Sequence, residues 1–87
     1  MYKSIIKNYI KKLNVEDVLN FSLKNNINLS EVEANIILNY IKQDYETIIY
    51  GDPKNIFNEL KTKLDKENYI KIINIYYEFK EKYKNYL

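Results

Sequence analysis

Twelve carboxylates, fourteen lysines and ten tyrosines are the side chains of this 87-residue chain that could do chemistry, because His, Cys, Trp and Arg are absent. That excludes thiolate and imidazole nucleophiles or bases, Cys/His zinc sites, haem ligation and any disulfide framework. Metal could enter only through carboxylates. A single glycine, Gly51, rules out a phosphate-cradling loop of the GxGxxG or GxxxxGK type. Carboxylate pairs are the remaining route to catalysis, and the closest are Glu16/Asp17, Glu31/Glu33 and Asp44/Glu46. Each is explained by the first turn of a helix or a solvated helix end, and adjacent helix residues do not converge on one substrate atom. No catalytic, metal-binding or cofactor-binding residue is therefore assigned. An enzyme would need carboxylates meeting across helices, with Asp52 or Asp65 against Glu31 or Glu33.

The net charge of +2 resolves into three blocks: residues 1–13 carry +4, residues 14–52 carry −5 and residues 53–87 carry +3. Lys3, Lys7 and Lys11 form one helical stripe with Lys12 at its edge, a candidate contact for phosphate or an acidic partner. The simpler reading is a solvated helix face. Without Arg, bidentate readout of guanine or phosphate is not expected, although Lys can anchor phosphates. Most tyrosines fall on apolar helix faces, Tyr2, Tyr9, Tyr40, Tyr69 and Tyr76 among them, and are expected to pack at the core or its edge. Tyr83 and Tyr86 lie near the end of the chain and are the candidates for an exposed aromatic patch.

The elements that would position these groups are helices. Tyr2, Ile5, Ile6, Tyr9, Ile10 and Leu13 recur at steps of three and four, so the first thirteen residues predict an amphipathic helix. Asn14 is an N-cap for a second helix that runs to about Lys24 and faces inward through Val15, Val18, Leu19 and Leu23. Asn25, Asn26 and Asn28 break it. Ser30 to Glu33 is a capping box opening a third helix with Ala34, Ile37, Leu38 and Ile41 on its face. Residues 44–51 are the ambiguous stretch, taken as helix end plus turn because one β-branched run has no strand to pair with. Asp52 as N-cap and Pro53 at the first helical position begin a fourth helix faced by Ile56, Phe57, Leu60 and Leu64. Asp65 opens the last helix, whose broad apolar surface takes in Tyr69, Ile70, Ile72, Ile73, Tyr76, Tyr77 and Phe79.

The expected fold is all-α, a compact bundle of four to five short helices forming a single domain over residues 1–87. The longest apolar runs are three residues, and the N-terminus lacks a signal-peptide pattern, so a cytoplasmic protein that does not cross a membrane is expected. Lys, Asn, Ile and Tyr dominate the composition, and their A/T-rich codons fit an AT-rich genome.

Residues 13–37, Leu-Asn-Val-Glu-Asp-Val-Leu-Asn-Phe-Ser-Leu-Lys-Asn-Asn-Ile-Asn-Leu-Ser-Glu-Val-Glu-Ala-Asn-Ile-Ile, followed by Asn55-Ile-Phe-Asn58, resemble domain-of-unknown-function family 2624, short proteins of Bacilli and Clostridia. The resemblance implies a small cytoplasmic helical protein and brings no catalytic signature. Residues 13–42 are also similar to the helix-loop-helix core of SAP and LEM-type modules, which bind DNA or small protein partners. Here, however, Glu31 and Glu33 stand where a DNA-facing version would carry positive charge. The leading expectation is a non-enzymatic protein-interaction module that binds an unidentified protein or itself. The alternative is weak, sequence-nonspecific nucleic-acid binding through Lys3, Lys7, Lys11 and Lys12. No small-molecule substrate is implied.

Overall fold

Side-chain caps set the starts of three of the helices. In the computed structural model, which describes residues 2–85, the order is α1 (Tyr2–Lys12), α2 (Val15–Lys24), α3 (Glu31–Tyr50), α4 (Lys54–Lys63) and α5 (Lys66–Tyr83). Asn14 Oδ1 accepts from the Asp17 N–H, and the Asp17 carboxylate accepts in return from the Asn14 N–H, both at 3.0 Å. Ser30 and Glu33 make the same reciprocal box at 3.1 Å. Asp65 accepts from the backbone of Glu67 and Asn68 at the head of α5. Each cap satisfies amides that the first helical turn leaves without a carbonyl partner. At α4 the boundary differs by one residue from the sequence expectation. Asp52 does accept the Lys54 N–H, but Pro53 takes the cap position, its carbonyl accepting the first helical bond from Phe57.

The turn between α2 and α3 is where asparagine has conformational work to do. Asn25 caps α2 and donates its side-chain amide to the Phe21 carbonyl at 2.9 Å. Asn26 adopts φ 61°, the left-handed region that Asn tolerates better than most residues. The reversal brings the Ile27 N–H back to the Ser22 carbonyl at 2.8 Å and drives Ile27 and Leu29 into the core. Ile27, only 1% exposed, is the largest fully buried side chain, and it comes from a loop. Of the ambiguous stretch 44–51, residues 44–50 are helical and Gly51 caps the helix end, as helix end plus turn requires. α3 kinks at Asp44 (φ −123°, ψ 20°) and continues to Tyr50, so the β-branched Thr47-Ile48-Ile49 segment forms the last turns of a helix.

The core gathers Val18, Ile27, Leu29, Ala34, Ile37, Ile56, Phe57, Leu60 and Leu64. The expected α4 face is buried as a unit. α3 is the hub, packing against α1, α2 and α4, and α4 in turn packs against α5. The two outer helices, α1 and α5, supply no fully buried side chain among the described residues. Here the structure corrects the sequence reading. Ile6 and Ile10 of α1 and Leu13 just after it are half-buried, but Ile5 and Tyr9 are exposed, Tyr9 by 66%. The chief neighbour of α1 is α3, and one neighbour covers one stripe of a helix. On α2 the polar Ser22 is buried while Phe21 and Leu23 face outward. On α5, Tyr69, Ile72, Ile73 and Tyr76 are half-buried, whereas Ile70, Tyr77 and Phe79 are exposed. Among the described residues there is no strand, and no helix is long and apolar enough to cross a membrane.

Candidate functional site

Two capped helix starts meet in an open cleft of about 540 Å³ between the α2–α3 loop and the head of α5. Glu33 is its centre. While one carboxylate oxygen closes the capping box with Ser30, the other accepts the Asp65 backbone N–H at 2.8 Å. The Asn68 side-chain amide donates both to Glu33 Oε1 at 3.2 Å and to the Asn28 carbonyl at 3.1 Å. Lys71 donates to the Asn26 carbonyl at 3.1 Å and pairs with Glu67 at 3.4 Å. Partial burial disfavours the charged form of Glu33, but the hydrogen bonds from Asp65, Ser30 and Asn68 outweigh it and hold the carboxyl below its ordinary range.

Glu33 and Asp65 do meet across helices, but as a structural joint and not carboxylate to carboxylate as an enzyme would require. The Glu33 contact is to the Asp65 backbone, and the Asp65 carboxylate is turned to the amides of its own helix. Among the described residues no group of three or more acids is placed to hold a metal ion. At these helix starts the amides of Ser30, Glu33, Asp65, Glu67 and Asn68, which would otherwise attract an anion, already bond these carboxylates and the Ser30 hydroxyl.

Lysines serve the opposite helix ends. α3 has no basic residue in its last turn. Lys80 of α5 supplies one from outside, donating to the Ile49 carbonyl at 2.7 Å, while the Tyr76 hydroxyl donates to the Ile48 carbonyl at 3.0 Å. Lys3 lies over the Tyr50 ring, 4.7 Å from its centroid. Lys42 likewise reaches the Ile10 and Lys11 carbonyls at the end of α1. A cation at a helix C-terminus meets both the dipole and the unpaired carbonyls. Sequence reasoning missed these contacts. The one available signal was the absence of a basic residue at the end of α3, which calls for a donor from elsewhere.

The four lysines of the N-terminal stripe are all exposed on α1. Lys3 is engaged by Tyr50, while Lys7, Lys11 and Lys12 have no acidic partner among the described residues. Of the two C-terminal tyrosines, Tyr83 packs its ring 5.1 Å from Phe79 and sits beside Lys82; Tyr86 lies outside the described residues. The larger apolar exposure on α5 is one that the sequence reading placed within a single broad surface. Ile70 is 48% and Tyr77 60% exposed, about 80–120° around α5 from the half-buried Tyr69 and Tyr76, and the Tyr77 ring meets the Tyr76 ring edge-on at 5.3 Å.

A family model described as a protein of unknown function, DUF2624, matches residues 1–80, and the chain belongs to that family. No curated protein and no solved structure matches it.

The Glu33 joint has a measurable pH signature. Because its folded-state pKa is depressed, its contribution to stability is complete above the unfolded value of about 4.3 and is lost as pH falls through the lower folded value. Glu33→Gln keeps the shape of the capping box and removes the charge, so its melting temperature should fall less than that of the parent between about pH 6 and about pH 3. Glu33→Ala should cost about 1–2 kcal/mol at neutral pH by chemical denaturation. Parallel acid profiles for parent and Glu33→Gln would contradict the assignment.

Proposed function

We propose that this DUF2624 protein is a small, non-enzymatic cytoplasmic module that binds another protein through the outer face of α5. The observation that carries this reading is the exposure of Ile70 and Tyr77, 48% and 60%, on a helix whose inner side already packs against the bundle. Single exposed apolar residues are ordinary; these two support the reading because both are large and lie on one strip of the helix, which a partner could cover. Tyr at such a position offers a large contact area at low conformational cost. The absence of enzymology in this reading is supported by what the polar groups do: Asn14, Asp17, Ser30, Glu33 and Asp65 each hold backbone amides.

A photo-crosslinking amino acid at position 77, with the same group at Lys61 on α4 as control, tests this in lysate of the source cell. The reading expects discrete covalent adducts at 77, to this protein or another, and few at 61. No adduct at 77, or equal labelling at both, would contradict it.

A second reading is favoured by the three exposed, acid-free lysines of α1, Lys7, Lys11 and Lys12. They would contact phosphates of nucleic acid without reading bases. Fluorescence anisotropy with a labelled DNA at low salt should then show binding that Lys7→Glu/Lys11→Glu abolishes and that weakens steeply as salt rises. No change in anisotropy at low salt would end this reading.

A further inference from the structure

We propose that the outer strip of α5 is self-complementary and docks antiparallel against α5 of a second copy of the chain. This deepens the interaction reading above and rests on it. The strip consists of Lys66, Ile70, Tyr77 and Glu81, which at 100° per residue fall within an arc of about 60°. All four are exposed. Their spacing is four, seven and four residues, the same from either end, and the charges at the two ends are opposite.

A two-fold axis passing between Ile73 and Asn74 therefore does two things at once. It sets Ile70 of each copy against Tyr77 of the other, and it sets each Lys66 against the other copy's Glu81. A parallel arrangement would put Lys66 against Lys66 and Glu81 against Glu81, so charge selects the antiparallel one. The self-matching patch is what an isologous two-fold contact requires. Glu81 is paired within its own chain to Lys84 at 3.0 Å, but both side chains are largely exposed, and a surface pair of this kind is exchanged at little cost. Lys66 has no acidic partner among the described residues. With a helix only about 27 Å long, the contact belongs to the small, reversible class of interfaces.

Sedimentation equilibrium on the full chain tests the proposal. The parent should pass from monomer to dimer between about 10 µM and about 1 mM. Lys66→Glu and Glu81→Lys each place like charges at both ends of the contact, and each should weaken dimerisation about tenfold. Both exchanges suit the helix dipole, an acid at the start of α5 and a base near its end, so folding is preserved, and circular dichroism checks this. An equimolar mixture of the two variants should form a heterodimer at parental strength. In it the introduced glutamate at position 66 meets the introduced lysine at position 81, while the retained Lys66 meets the retained Glu81. A parent that stays monomeric throughout this range overturns the proposal, and so does a dimer that neither variant weakens. If the chain is monomeric while the crosslinker at 77 captures a different protein, self-docking fails and the broader interaction reading stands.

Discussion

The Glu33 carboxylate is the group on which the placement of α5 depends. It terminates the α2–α3 turn by closing the capping box of α3, and in the same geometry it accepts the Asp65 backbone amide of the α4–α5 connection. Two helix starts are thereby fixed to each other by one side chain. Because acceptors for backbone N–H groups at a helix start are obligatory, a residue that serves two starts couples their positions. Asn68 and Lys71 extend the joint to the Asn28 and Asn26 carbonyls.

The far end of α5 is tethered by the same logic with the sign reversed. Tyr76 and Lys80 bond the terminal carbonyls of α3, which carries no cation of its own there. α5 is thus located by polar contacts at both ends and by half-buried side chains between them, with the Phe57 and Tyr76 rings meeting edge-on at 4.8 Å. None of its residues is fully buried. A chain this short buries a smaller share of its surface than a larger domain does, and here the last helix lies on the bundle and keeps an apolar strip in solvent. That strip is the feature from which the functional reading grows.

The helix starts were legible in the sequence because caps are local: Asn14, Ser30 with Glu33, and Asp65 act within three residues of themselves. The α4 face was legible too, since α4 packs against both α3 and α5 and the predicted stripe of Ile56, Phe57 and Leu60 is covered. The burial of Ile27 was not legible, because it depends on the left-handed Asn26 and a loop has no period to read. Nor did periodicity separate Ile70 and Tyr77 from Ile73 and Tyr76. All four fit a broad apolar surface, and only the direction of the neighbouring helix decides which are covered. The lysine contacts join residues more than thirty positions apart, as Lys42 with Lys11 and Lys80 with Ile49 do, and nothing local announces them. Composition alone made every lysine look like drift or solvated surface. The candidate stripe of Lys3, Lys7, Lys11 and Lys12 is exposed as the α1 period implies, but Lys3 is engaged by a tyrosine ring from the end of α3.

If α5 is placed by its tethers more than by burial, it should be the least protected part of the fold. Native-state amide hydrogen exchange on dilute, monomeric protein measures this directly. Amides in the middle of α5, around Ile73 to Tyr77, are predicted to exchange through an opening of lower free energy than those around Ala34 to Ile37 in α3 or Phe57 to Leu60 in α4. Glu33→Ala should lower the protection of α5 as a unit while leaving a smaller effect on α4. Equal protection of α5, α3 and α4, all at the free energy of global unfolding, would contradict the account.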